Sequence, residues 1–99
     1  MKGELEVFIE RIDNFESLTA GEQIPFFTYF LSGDTDKDVL PAEVKDCFSA
    51  LLLTPYSNIS AYMGRKSTGR DAIFIKTKSG YHLTRNAKND IAAKVKEVI

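Results

Sequence analysis

Apolar positions near the start of the chain recur at helical spacing. Leu5, Phe8, Ile12 and Phe15 fall on one side of a 3.6-residue repeat, which predicts an amphipathic helix over about residues 4–15. Thr19-Ala-Gly-Glu22 is a capping-box pattern, and the aromatic run "IPFFTYFL" behind it predicts a second helix that starts between 20 and 24 and ends near Ser32-Gly33. Pro25 bears on that start, because a proline in the first turn is harmless whereas a deeper one removes a backbone bond. After the acidic stretch "GDTDKD", Val39-Leu40 reads as a very short strand. Pro41 suits a first helical position. Val44, Cys47, Phe48 and Leu51 follow at i, i+3, i+4 and i+7, so a third helix is expected over about 41–52. Ser57 is a good N-cap for a fourth over 58–66, leaving Leu53 to Tyr56 as a short connection.

"IFIKTKSGYHLT" alternates as a hairpin does, and its register follows from which residues share a face. A two-residue Ser79-Gly80 loop sets Ile75 opposite Thr84 and Lys76 opposite Leu83, mixing apolar and polar positions. A three-residue Lys78-Ser79-Gly80 loop, with Gly80 left-handed, pairs Thr77 with Tyr81 and Ile75 with Leu83. Ile73, Ile75, Tyr81 and Leu83 then share the buried face, with Phe74, Lys76, His82 and Thr84 on the other, so the three-residue loop is expected. His82 reads as an exposed surface histidine. Ala87, Ile91, Val95 and Val98 stripe a last helix over about 86–98, with Lys88, Lys94 and Lys96 elsewhere on it. That stripe reaches the final residue, as in a piece of a longer protein.

The expected class is therefore mainly α with a small β-hairpin, in one domain over residues 1–99. Helix, short strand, helix, tight turn, helix and hairpin is an order of elements that resembles the winged helix-turn-helix DNA-binding family. The likeness is carried by "LPAEVKDCFSALLLTPYSNISAYM" followed by "IFIKTKSGYHLT", covering about residues 20–84, with extra N- and C-terminal helices outside it. It is a likeness of element order and turn spacing, without a signature motif. The resemblance implies that the helix after the turn enters the major groove and that the hairpin, the wing, meets the adjacent backbone.

The helix over 58–66 divides accordingly. With Ile59 at the centre of its inner face, Tyr62, Met63 and the stem of Lys66 lie beside it at 100° per residue. Asn58, Ala61, Gly64 and Arg65 point outward and Ser60 lies at the flank. Small residues permit close approach to a groove, while Asn and Arg have the donor geometry to pair with adenine and guanine edges. Ser57, Asn58, Ser60, Ala61 and Arg65 are the candidate groove residues. Lys66 and Arg70, in a glycine-flanked loop, and Lys76 and Lys78 on the wing are candidate phosphate contacts.

Charge sharpens this picture, although the net value of −1 hides it. Residues 1–56 carry four basic and eleven acidic side chains, a balance of −7, whereas residues 57–99 carry nine basic and three acidic, a balance of +6. Such asymmetry points to a polyanion on the second half. Composition is otherwise ordinary for a globular chain of 99 residues, with 43% hydrophobic and 27% charged. No apolar run approaches the ~20 residues of a membrane span, and no signal-peptide core is present, so a cytoplasmic protein is expected.

Other chemistry finds little material. One cysteine and one histidine leave no zinc ligand set and no nucleophile–base pair, so neither an enzyme nor a cofactor is expected. "GDTDKDV" has the aspartate spacing of a calcium loop, but Val39 stands where that loop needs glycine and Lys45 where it needs glutamate. In "GRKSTGRD", Arg70 and Asp71 replace the Lys and Ser/Thr of a phosphate loop. The expected partner is double-stranded DNA. The competing expectation is the same fold as a protein-interaction or oligomerisation module of a larger assembly, with the terminal helices pairing within a chain or across a homodimer.

Overall fold

A computed structural model of the protein describes residues 3–32 and 37–95; Asp34, Asp36, Lys96 and Val98 lie outside them. The elements are α1 (Glu4–Glu10), a 3-10 turn (Phe15–Ser17), α2 (Ala20–Ser32), α3 (Pro41–Ala50), α4 (Ile59–Arg65), β1 (Phe74–Lys76), β2 (Tyr81–Leu83) and α5 (Arg85–Lys94). The protein is mainly helical with a small two-stranded antiparallel hairpin.

The first helix is shorter than its apolar spacing suggests. It stops at Glu10, Asn14 adopts a left-handed conformation (φ 56°), and Phe15 enters the core from the 3-10 turn. Phe8, Ile12 and Phe15 are all buried nonetheless. Ile12 forms an antiparallel bridge with Val95, so the two flanking segments meet within one chain.

α2 is the central element, packing on α3, β2 and α5. Its capping box forms as expected: the Thr19 N–H donates to Glu22 Oε1 (3.0 Å) and the Glu22 N–H donates to Thr19 Oγ1 (3.3 Å). The helix begins at Ala20, so Pro25 sits inside it, where its missing N–H leaves one intrahelical bond unmade. Burial of Ile24, Phe26 and Phe27 against the rest of the core outweighs that loss. Phe27 meets Phe48 of α3 edge-on at 4.8 Å between ring centres, a geometry worth about 0.5–1.5 kcal/mol beyond the area buried.

α3 ends in a Schellman motif. The Leu52 N–H donates to Ser49 O (3.1 Å) and the Leu53 N–H donates to Phe48 O (2.9 Å), satisfying two terminal carbonyls. The position that usually carries glycine is Leu52, at φ 57° and 94% exposed. Because Leu51 and Leu52 belong to this cap, and the next helix starts at Ile59, the α3–α4 connection spans residues 51–58, longer than the four-residue turn expected.

The hairpin register differs by one residue from the expected one. Phe74 pairs with Leu83, Ile75 with His82 and Lys76 with Tyr81. Phe74 is buried and Ile75 is 45% exposed, so the adjacent apolar residue took the core position. Tyr81 and Leu83 keep the buried face expected of them, while a one-residue slip moves β1's side chains to the opposite faces, and the larger ring buries more area. The turn closes through Thr77, whose N–H donates to Gly80 O (2.8 Å) and whose Oγ1 accepts from the Ser79 N–H (3.2 Å).

Gly80 stands at φ 151°, not in the expected left-handed well. The reason is Val39, which bridges Tyr81 by reciprocal backbone bonds of 2.7 and 2.9 Å on the edge of β2 away from β1. A side-chain carbon at Gly80 would lie 2.7 Å from the Val39 carbonyl oxygen. His82, expected to be exposed, is half-buried, with Nδ1 3.4 Å from Asp38 Oδ1. Among the described residues no helix is long and apolar enough to cross a membrane.

Candidate nucleic-acid interface

α4 is seated on the core by Ile59 and Met63, both buried, and it packs on α3 and on β1. Ser57, Asn58, Ser60, Ala61 and Arg65 are exposed, as are Lys66, Arg70, Lys76 and Lys78. All nine candidate side chains therefore reach solvent, but several are already engaged.

The N-cap of α4 is Asn58, not Ser57. Asn58 Oδ1 accepts the Ala61 N–H at 3.0 Å, which commits the carboxamide oxygen to the helix and leaves its NH2 group as a donor. Adenine pairing by a carboxamide uses both oxygen and nitrogen, so Asn58 as placed offers half of that pattern. Ser57, freed from capping, is an additional exposed hydroxyl. Gly64, assigned to the outward face, instead lies inward: a side-chain carbon there would come within 3.8 Å of Tyr81 Oη.

The loop after α4 is tied down by its own hydroxyls. Ser67 Oγ donates to Gly64 O (2.7 Å) and Thr68 Oγ1 donates to Arg65 O (3.2 Å), capping carbonyls at the helix end. The Ile73 and Phe74 N–H groups both donate to Lys66 O, at 2.8 and 3.1 Å, and pin the far end of the loop to the same place. Arg70 projects from the exposed apex next to Gly69, whose φ of 86° suits glycine.

Two tyrosines organise the basic end of the helix. Tyr56 and Tyr62 lie with ring centres 5.2 Å apart, and Tyr62 also meets Phe74 edge-on. Arg65 Nη2 donates to Tyr56 Oη at 3.0 Å, and the Lys66 ammonium stands 6.0 Å over the Tyr62 ring. Burial pushes the Tyr62 phenol up, so it stays neutral. These rings, with Thr19, Ala20, Gly21, Glu22 and Lys66, line a shallow depression of about 430 Å³. Glu22 places a carboxylate there, held below its usual range by the Thr19 backbone N–H and hydroxyl, and a phosphate passing Lys66 would meet that charge. The chain matches no family model, no curated protein and no solved structure.

Neither tyrosine is among the nine candidates. The Arg65–Tyr56 bond joins residues nine apart across an irregular connection, where no period relates one side chain to the other. Among the described residues no three His, Cys, Asp or Glu side chains converge as a metal site would require. Cys47 is buried in α3, and burial raises its thiol to about 11, well above the range of a reactive cysteine.

Proposed function

We propose that the protein is a cytoplasmic, winged-helix-like DNA-binding module. α4 and the two residues before it present Ser57, Asn58, Ser60, Ala61 and Arg65 to the major groove, and Lys66, Arg70, Lys76 and Lys78 meet phosphates. The observation that carries this proposal is the division of α4: Ile59 and Met63 are buried while every candidate contact residue is exposed. The Val39–Tyr81 bridge supports it further, because it adds a third strand position beside the hairpin between α2 and α3, as the winged-helix order requires.

A salt titration of binding to random duplex DNA tests it. Affinity should fall linearly in log–log form, with a slope near −0.9 for each phosphate contacted. Failure to bind at ~50 mM salt would overturn the proposal.

One observation favours a second reading, in which the same fold serves protein interaction. Leu52 is 94% exposed at a backbone angle unfavourable to leucine, beside Glu6, Glu10 and Glu16 around a depression of about 320 Å³. An apolar tip amid carboxylates suits a cationic protein surface better than a nucleic acid. Saturable binding of a partner protein that Leu52→Asp abolishes, with no affinity for duplex, would establish that reading instead.

A further inference from the structure

Arg65 is the one candidate base-reading side chain on the outward face of α4 that can form a paired contact with guanine. An arginine at an exposed helix end ordinarily samples many rotamers, and recognition must order it. Here the guanidinium already has a partner, since Nη2 donates to the Tyr56 hydroxyl at 3.0 Å. That hydroxyl is itself well anchored. The Tyr56 ring leans on Tyr62 at 60° between planes, and both rings lie over Gly21 of α2. A side-chain carbon on Gly21 would come 3.1 Å from Tyr62 and 3.5 Å from Tyr56, so glycine allows the rings to settle directly on the helix that carries the core. The position of the Arg65 head group is thereby referred, through two rings, to the most buried element of the fold.

We infer that Tyr56 is a positioning residue for Arg65, preorganising its guanidinium so that it selects a guanine edge. The inference rests on the DNA-binding reading of this face. One N–H is used by the phenol and four of the five donors stay available, enough for a paired contact to the O6 and N7 acceptors of guanine. The neighbouring Lys66 ammonium stands over the Tyr62 ring. Tyr56 thus acts on sequence preference and leaves the attraction to phosphate unchanged, since it adds no cation to the interface and its hydroxyl accepts from Arg65.

Tyr56→Phe removes the hydroxyl and keeps the ring against Tyr62. Affinities are measured for wild type, Tyr56→Phe, Arg65→Ala and the double variant on two probes. One is a duplex selected by the wild type from a randomised pool, and the other is a scrambled duplex of the same composition. Tyr56→Phe should lower affinity for the selected duplex about three- to ten-fold, the range expected for ordering one long side chain. It should leave the scrambled duplex, the salt slope and the melting temperature unchanged. In the Arg65→Ala background it should have no further effect, an outcome that a purely structural tyrosine would not give. Wild-type preference that persists in Tyr56→Phe overturns the role of Tyr56 and leaves the interface standing. Equal additional losses in both backgrounds also overturn it, and a wild type that binds neither duplex overturns the interface and this role together.

Discussion

Leu52→Gly should make the protein more stable. Leu52 occupies the left-handed position of the α3 cap at φ 57°, where a side-chain carbon crowds the following carbonyl at a cost of about 1–2 kcal/mol. Its side chain is 94% exposed, so removing it gives up almost no burial. Against the gain stands the greater freedom of glycine in the unfolded chain, about 0.4–1 kcal/mol. The difference is a net stabilisation of about 0.5–1 kcal/mol. For a domain of this size that corresponds to a rise of roughly 3–6 °C in Tm, followed by circular dichroism. Urea midpoints supply an independent reading, with an unchanged m-value showing that only stability moved. Leu52→Ala is the matched control: it keeps the crowding carbon, trims the exposed chain, and should stay within about 0.5 kcal/mol of wild type. A glycine variant no more stable than wild type, or an alanine variant that gains as much, would refute the backbone explanation.

Gly80→Ala should destabilise by about 1–3 kcal/mol in urea denaturation, because the new carbon lies 2.7 Å from a backbone oxygen held in the Val39–Tyr81 bridge; an unchanged midpoint would mean the bridge is not close-packed. Arg65→Ala should lose about 1–3 kcal/mol on a preferred duplex and relax base choice there, whereas Lys76→Ala should weaken all duplexes alike and reduce the salt slope by about one; equal losses on preferred and scrambled DNA would leave a basic patch without a reading helix. Cys47 should resist iodoacetamide at pH 8 until urea unfolds the chain. Its folded pKa is raised from 9.0 to about 11 by burial, so the unfolded state ionises first. That contribution to stability is whole below pH 9.0 and is lost as pH rises through about 11, so Cys47→Ala should show a smaller alkaline decline in urea midpoints than wild type, the raised Tyr62 phenol supplying part of what remains.

Burial of α1 and the following turn shows how a period in the sequence can be right about direction and wrong about conformation. Phe8, Ile12 and Phe15 point inward as their spacing implies, yet of the three only Phe8 belongs to an α-helix. Val44, Cys47 and Phe48, then Ile59 and Met63, then Ala87 and Ile91 are buried faces of helices read correctly from apolar spacing. Capping chemistry was legible at Thr19-Glu22 and displaced by one residue at Asn58, because two adjacent polar residues both suit the role.

What the sequence determined alone was thus the order of the described helices and hairpin, the apolar positions that the helices turn inward, and the exposure of the nine candidate contact side chains. Each depends on neighbours within one or two turns, where the geometry of a single element relates spacing to direction. Tertiary structure decided the rest. Phe74 displaced Ile75 from the core because docking against Tyr62 and Tyr81 selected between adjacent apolar residues. Gly80 was required by a strand segment 41 residues earlier, and Asp38 found His82 across 44. Arg65 came to rest on Tyr56 only once α2 had offered Gly21 as the floor for two rings. Contacts of this kind relate segments whose relative placement is set by burial of the common core, and no local repeat encodes that placement.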